Sequence, residues 1–152
     1  MKKILVPTDF SPMATEALRT ANQLAQQQHA TIHLVHVLMF PMTEEEAPPG
    51  VVEVLPVEYL KHLKQDTQKQ LDELIEKEAI ASVPITSEII VGNPYQSIAR
   101  ILKKEEMDLV VMGSRGASGV REILVGSNAE RMVRFSPSPV LIIKEETDLS
   151  NL

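Results

Sequence analysis

At 152 residues, 43% hydrophobic and 24% charged, the chain has the size and composition of one globular domain and is too short for two comfortable ones. A net charge of −6 argues against a phosphate-backbone footprint, which needs clustered Lys and Arg, so nucleic acid is not an expected partner. The absence of cysteine excludes disulfides, thiolate metal sites and cysteine nucleophiles together, and no apolar run approaches membrane-spanning length, so a soluble cytoplasmic protein is expected.

Lys3 to Val6 is a short apolar run that predicts a buried strand, ended by Pro7 and opening into Thr8 and Asp9. Ser11-Pro12 supplies an N-cap with proline at the first helical position. Ala14, Ala17, Leu18, Ala21, Leu24 and Ala25 then recur at helical spacing as far as about His29. Thr31 to Val37 predicts the second strand. From Leu38 to Pro56 the chain carries four prolines, the triplet Glu44-Glu45-Glu46 and Gly50, a composition that suits an irregular solvated connection. Leu60, Leu63, Leu71, Leu74 and Ile75 mark one face of a helix reaching roughly to Ala81, before Pro84.

Ile85 to Val91 predicts a third strand, and Gly92-Asn93-Pro94 a turn, an N-cap and an N1 proline for a helix that buries Ile98, Ala99 and Leu102. Leu109 to Met112 is a continuous apolar strand running directly into Gly113. Asn128 to Phe135 reads as a helix, Ser136 to Pro139 as a breaker and Val140 to Ile143 as a last strand. Residues 145–152 read as a polar tail after a domain spanning 1–144. Strand and helix alternate five times, which predicts a single-domain, open, doubly wound α/β fold with a mostly parallel sheet and helices on both faces.

Four of the six glycines fall between Gly113 and Gly126. Without side chains, such a loop lets main-chain amides approach an anion closely, and Gly126-Ser127 then opens a helix whose first amides favour negative charge. Phosphate is the expected occupant. The string is not a P-loop, because no Gly-Lys-Ser or Gly-Lys-Thr occurs, and it is not the G-x-G-x-x-G dinucleotide fingerprint that follows a first strand. Arg115 and Arg121 are cations able to reach a phosphate.

Gly113-x2-Gly116-x9-Gly126-Ser127 resembles the nucleotide-binding signature of the ATP-binding universal stress proteins. The opening Ile4-Leu5-Val6-Pro7-Thr8-Asp9-Phe10-Ser11, and the close with Ser127-Asn128-Ala129-Glu130 and Pro137-Ser138-Pro139-Val140-Leu141-Ile142, resemble the same family's ends. The resemblance covers about Lys2 to Lys144. It implies a five-stranded sheet in the order 3-2-1-4-5. Ligand would then bind where that order reverses, at the strand ends Pro7-Thr8-Asp9 and Met112-Gly113. It also implies that the Val37 backbone faces adenine, that Asp9 and Gly113 lie near adenosine, and that Gly116, Gly126, Ser127 and Asn128 surround the phosphates. The implied ligand is ATP, with ADP and AMP as alternatives, accompanied by Mg2+. The implied assembly is a homodimer through the C-terminal edge strand, with the protein partner unidentified.

Blander readings stand beside these. Asp9 can cap the first helix or form a turn with Ser11, and Ser127 can be a simple N-cap. His33 and His36, three apart on a strand, point to opposite faces and do not predict a metal site. Arg131 and Arg134 with Glu130 read as a charged helix face. No catalytic residue is assigned. The expected function is ATP binding by a regulatory, stress-response protein, with a slow ATPase or phosphotransferase using the same site as the alternative.

Overall fold

The computed structural model describes residues 1–39, 57–115 and 125–144. Five strands and four helices alternate along them: β1 (Lys3–Thr8), α1 (Pro12–Gln28), β2 (Thr31–Leu38), α2 (Val57–Glu78), β3 (Ile85–Val91), α3 (Pro94–Lys104), β4 (Leu109–Gly113), α4 (Ser127–Phe135) and β5 (Val140–Ile143). All strand pairs are parallel, in the order β3-β2-β1-β4-β5. This is the single-domain doubly wound architecture expected from the alternation. The expected tail over 145–152 lies outside the described residues.

The two-residue period of the strands divides the core into two layers. From β1 and β2, Ile4, Val6, Ile32 and Leu34 turn to one face, where Ala17, Leu18, Ala21 and Ala25 of α1 and Leu71 of α2 cover them. Leu5 and Val35 turn to the other, joining Val110 and Met112 of β4 beneath Ile98, Ile101 and Leu102 of α3 and Ala129 and Met132 of α4. Small residues on α1 let that helix lie close to the sheet. Its approach leaves no space at Gly113, where an added Cβ would stand 3.0 Å from Met13 Cβ and 3.1 Å from the Met13 carbonyl carbon.

Two details extend the sequence reading. The first strand runs through Pro7 to Thr8 instead of ending at Val6. The Lys2 carbonyl accepts from Thr31 on the β2 side, and the Lys3 carbonyl accepts from Asp108 on the β4 side. Odd-numbered residues of β1 therefore address β4, whose recorded register with β1 covers only Ile4 and Leu5. The missing N–H of Pro7 falls on the β4 side, where the pairing stops, and the strand continues on its β2 side. At the other end of the sheet, Asp108 Oδ2 accepts from the Lys2 and Lys3 amides at 2.6 and 2.9 Å, tying the start of β1 to the start of β4. The second detail is a clasp between helices: Arg19 of α1 donates from Nε and Nη2 to the two carboxylate oxygens of Glu78, at 2.6 and 2.8 Å.

Candidate functional site

Chain order reverses at β1, with β2 on one side and β4 on the other, so the loops leaving β1 and β4 diverge and open a crevice at their carboxyl ends. A cavity of about 500 Å³ lies there, inside the range of roughly 300–1,000 Å³ that suits a small organic ligand. It is lined by Pro7, Thr8 and Asp9 at the end of β1, by His36, Val37, Leu38 and Met39 at the end of β2, and by Met112 and Gly113 of β4 with Ser114 and Arg115 just after it. Gly126, Ser127, Asn128 and Ala129, at the start of α4, close it.

Three helices point their N-termini at this cavity, since Ala14 of α1, Pro94 of α3 and Ser127 of α4 all line it. Two are already closed. α1 begins with Pro12, and the Ser11 hydroxyl accepts from the Ala14 amide; α3 begins with Pro94, and the Asn93 side chain accepts from the Gln96 amide. α4 differs: its N-cap is Gly126, no side chain among the described residues caps it, and Ser127, not proline, occupies its first position. The amides of Ser127, Asn128 and Ala129 precede the first bond within the helix, from the Glu130 amide to the Gly126 carbonyl. They carry the partial positive charge of the helix end into the cavity. The alternative reading of Ser127 as the N-cap does not hold, because Gly126 occupies that position.

Of the residues singled out from the sequence, Pro7, Thr8, Asp9, Val37, Met112, Gly113, Arg115, Gly126, Ser127 and Asn128 are brought together around this one space. Gly116 and Arg121 lie outside the described residues. Gly126 contributes differently from expectation. Its amide donates to the Ser114 carbonyl at 2.6 Å, and the Ser114 amide donates to the Ile143 carbonyl at 2.7 Å, so this main chain fixes the site's edge. Asp9 takes the turn role: its Oδ1 accepts from the Ser11 amide at 3.0 Å, while Ser11, not Asp9, caps α1.

Two polar cavity residues escaped the sequence reading, along with apolar lining such as Val35 and Ile98. Among the described residues, the buried Ser114 hydroxyl has no hydrogen-bond partner. His36 lines the cavity, with Nδ1 2.8 Å from the Thr8 carbonyl oxygen. His33, on the opposite face, meets Thr86 and Glu88 instead. Only the strand alternation that separates the two histidines hinted at His36's place. Arg134 pairs with Glu130, as the charged-face reading expects, whereas Arg131 lies over the Tyr95 ring at 3.9 Å.

The comparisons with known proteins agree with this fold. Residues 1–144 match the family model described as the universal stress protein family. The chain belongs to the universal stress protein family. Universal stress protein MJ0531 of Methanocaldococcus jannaschii is 32% identical over 144 residues, covering 95% of this chain and 82% of that protein. The solved structure of MJ0577, published as a structure-based assignment of biochemical function, superposes with a TM-score of 0.79 at 30% identity, covering 97% of this chain and 98% of that one. A universal stress protein from Archaeoglobus fulgidus, solved in complex with dAMP, shares the fold at 22% identity, with a TM-score of 0.63 and coverage of 95% and 98%.

Proposed function

We propose that this universal stress protein binds an adenine nucleotide, ATP in the first instance, and acts as a nucleotide-dependent regulatory module. The observation that carries the reading is the contrast among the three helix N-termini facing the cavity: α1 and α3 are sealed by proline and a capping side chain, and α4 alone is uncapped. An anion is drawn to that end by unpaired amides and the helix dipole. The remaining lining suits a nucleoside, with the apolar side chains Val35, Val37, Pro94 and Ile98 among it. That an A. fulgidus relative of the same fold is in complex with dAMP fits an adenine nucleotide.

Mg2+ would enter on the phosphates. Asp9 is the one carboxylate of the cavity lining among the described residues, and Mg2+ on nucleotides commonly needs only one or two carboxylates, with waters completing its shell. Bound there, the ion would screen phosphate charge. Binding, not turnover, is the activity assigned here.

Heat release of co-purified nucleotide, identified by mass and absorbance, tests the reading, together with ATP calorimetry on the wild type and on Gly126→Val/Ser127→Leu. The expected result is adenine nucleotide from the wild type and loss of ATP binding in the double variant with the fold retained. Turnover of excess ATP at about 1 per second or faster would favour a dedicated enzyme instead.

A homodimer through β5 is proposed on two observations. β5 is an outer strand of the sheet, and Leu141 on it, with Val133 and Phe135 on α4, is an exposed large apolar residue. An unpaired edge of this kind invites pairing with a two-fold mate. Sedimentation of the wild type against Leu141→Lys tests it, with monomer expected for the variant. No helix among the described residues is long and apolar enough to cross a membrane, and a cytoplasmic location is proposed.

A further inference from the structure

His36 sits beside the cavity with its ring held on two sides. Nδ1 lies 2.8 Å from the Thr8 carbonyl oxygen. A carbonyl oxygen can only accept, so Nδ1 carries the hydrogen and donates. The ring packs on Phe10, with centroids 4.6 Å apart and planes tilted by 34°. Thr8 and Phe10 are the two neighbours of Asp9, so a single imidazole grips the chain on both sides of that carboxylate.

The gripped segment needs holding. Phe10 has φ +63°, a left-handed conformation that is sterically costly for a bulky side chain and persists only where its surroundings impose it. Two local bonds shape the turn: the Phe10 amide donates to Thr8 Oγ1 at 3.1 Å, and the Ser11 amide donates to Asp9 Oδ1 at 3.0 Å. Both are made within the turn itself. His36 ties this segment to β2 through its side chain, beside the β1–β2 ladder that ends at Thr8 and the packing of Phe10 on the core. We propose that His36 is a positioning residue for the ligand site: its Nδ1–H and its ring face hold the Thr8–Phe10 turn in the conformation that presents Asp9 to the nucleoside part of the ligand. The inference rests on the nucleotide reading of the cavity.

Asparagine places its amide nitrogen near the position of an imidazole Nδ1, glutamine places it near Nε2, and phenylalanine keeps ring volume without a donor. A positioning role through Nδ1 therefore predicts that His36→Asn keeps ATP affinity within about threefold of wild type, while His36→Gln and His36→Phe weaken it about tenfold, the loss of one hydrogen bond. Without nucleotide, the Phe10 and Ser11 amides should exchange faster in the Gln and Phe variants than in wild type or His36→Asn. Retained affinity in His36→Gln with loss in His36→Asn would overturn the proposal in favour of direct ligand contact through Nε2. Wild-type affinity and protection in His36→Phe would overturn it in favour of simple packing. Ring nitrogen NMR shifts of the unmodified protein should report Nδ1 protonated at neutral pH, and an Nε2–H tautomer would overturn the proposal whatever the variants do. If wild-type protein binds no adenine nucleotide, the ligand reading fails separately, and amide exchange with the ring tautomer decides the role of His36 in the turn.

Discussion

The main-chain amide of Gly126 donates to the carbonyl oxygen of Ser114 at 2.6 Å, so the chain that leaves β4 is pinned to the residue that opens α4. Gly126 itself has φ −69° and ψ 157°, values open to any residue. A side chain at this N-cap position is therefore permitted by the backbone, and its effect on the site becomes informative.

Aspartate at position 126 would cap α4 with its own carboxylate. Gly126→Asp is expected to leave stability unchanged or raise it by a few tenths of a kcal/mol, about the margin between glycine and a good N-cap. The same carboxylate would occupy the amides proposed for phosphate and repel it, so ATP binding should fall by more than about a hundredfold. Thermal unfolding and calorimetry on one preparation read the two opposed effects. A variant that is both more stable and fully competent for ATP would place the phosphates elsewhere.

Two buried serines, Ser11 and Ser114, should respond in opposite ways. Ser11 caps α1 through the Ala14 amide at 3.2 Å, and Ser11→Ala should cost about 1 kcal/mol. The buried Ser114 hydroxyl has no partner among the described residues, and an unsatisfied buried polar group is itself unfavourable. Ser114→Ala should therefore leave the unliganded protein as stable as wild type or more so. Urea unfolding checks both, and an equal loss in the two variants would mean that Ser114 has a partner, such as an ordered water.

Gly113 is required by space, not by dihedral angle. A Cβ there meets Met13 and the Ala14 nitrogen at 3.0 to 3.3 Å, with main-chain atoms of α1 among the neighbours. Because a helix backbone cannot yield as a flexible side-chain end can, Gly113→Ala should destabilise the protein by about 1–3 kcal/mol. The measurement is the midpoint of denaturant unfolding at unchanged slope.

The clasp between α1 and α2 predicts a pH dependence. Hydrogen bonding to the Arg19 guanidinium holds the Glu78 carboxyl below its ordinary range, against the opposing effect of burial. A carboxyl lowered in the folded state contributes stability that is fully present above the unfolded value, near 4.3, and is lost as pH falls through the folded one. Glu78→Gln should melt lower than wild type at pH 7, with the gap closing as pH falls well below 4. A gap that stays constant across that range would show that the ion pair does not set it.

Local chemistry explains what the sequence made legible. Ser11-Pro12 and Asn93-Pro94 each carry a cap and an N1 proline in adjacent residues, and both helices begin there. The apolar runs at Ile4–Val6 and Leu109–Met112 lie in central strands, because residues buried on both faces leave no polar alternation. Gly113 and Gly126, the two cluster glycines among the described residues, both line the crevice. What could not be read was fixed between distant residues. The grip of His36 on Thr8 depends on the β1–β2 register that sets them side by side. The use of the Gly126 amide by Ser114, and the reach of Arg19 to Glu78 across 59 positions, depend on tertiary placement that no local pattern encodes. Pro7 was misleading as a strand end, since its effect depends on which neighbour its missing N–H would have addressed.

The account depends on the uncapped start of α4 receiving phosphate. Amide NMR of the labelled protein titrated with ATP, and in parallel with adenosine, tests this most directly. The amides of Ser127, Asn128 and Ala129 should shift saturably with ATP and remain in place with adenosine. If they stay unmoved at saturating ATP, the phosphate site is not at α4 and the account is wrong.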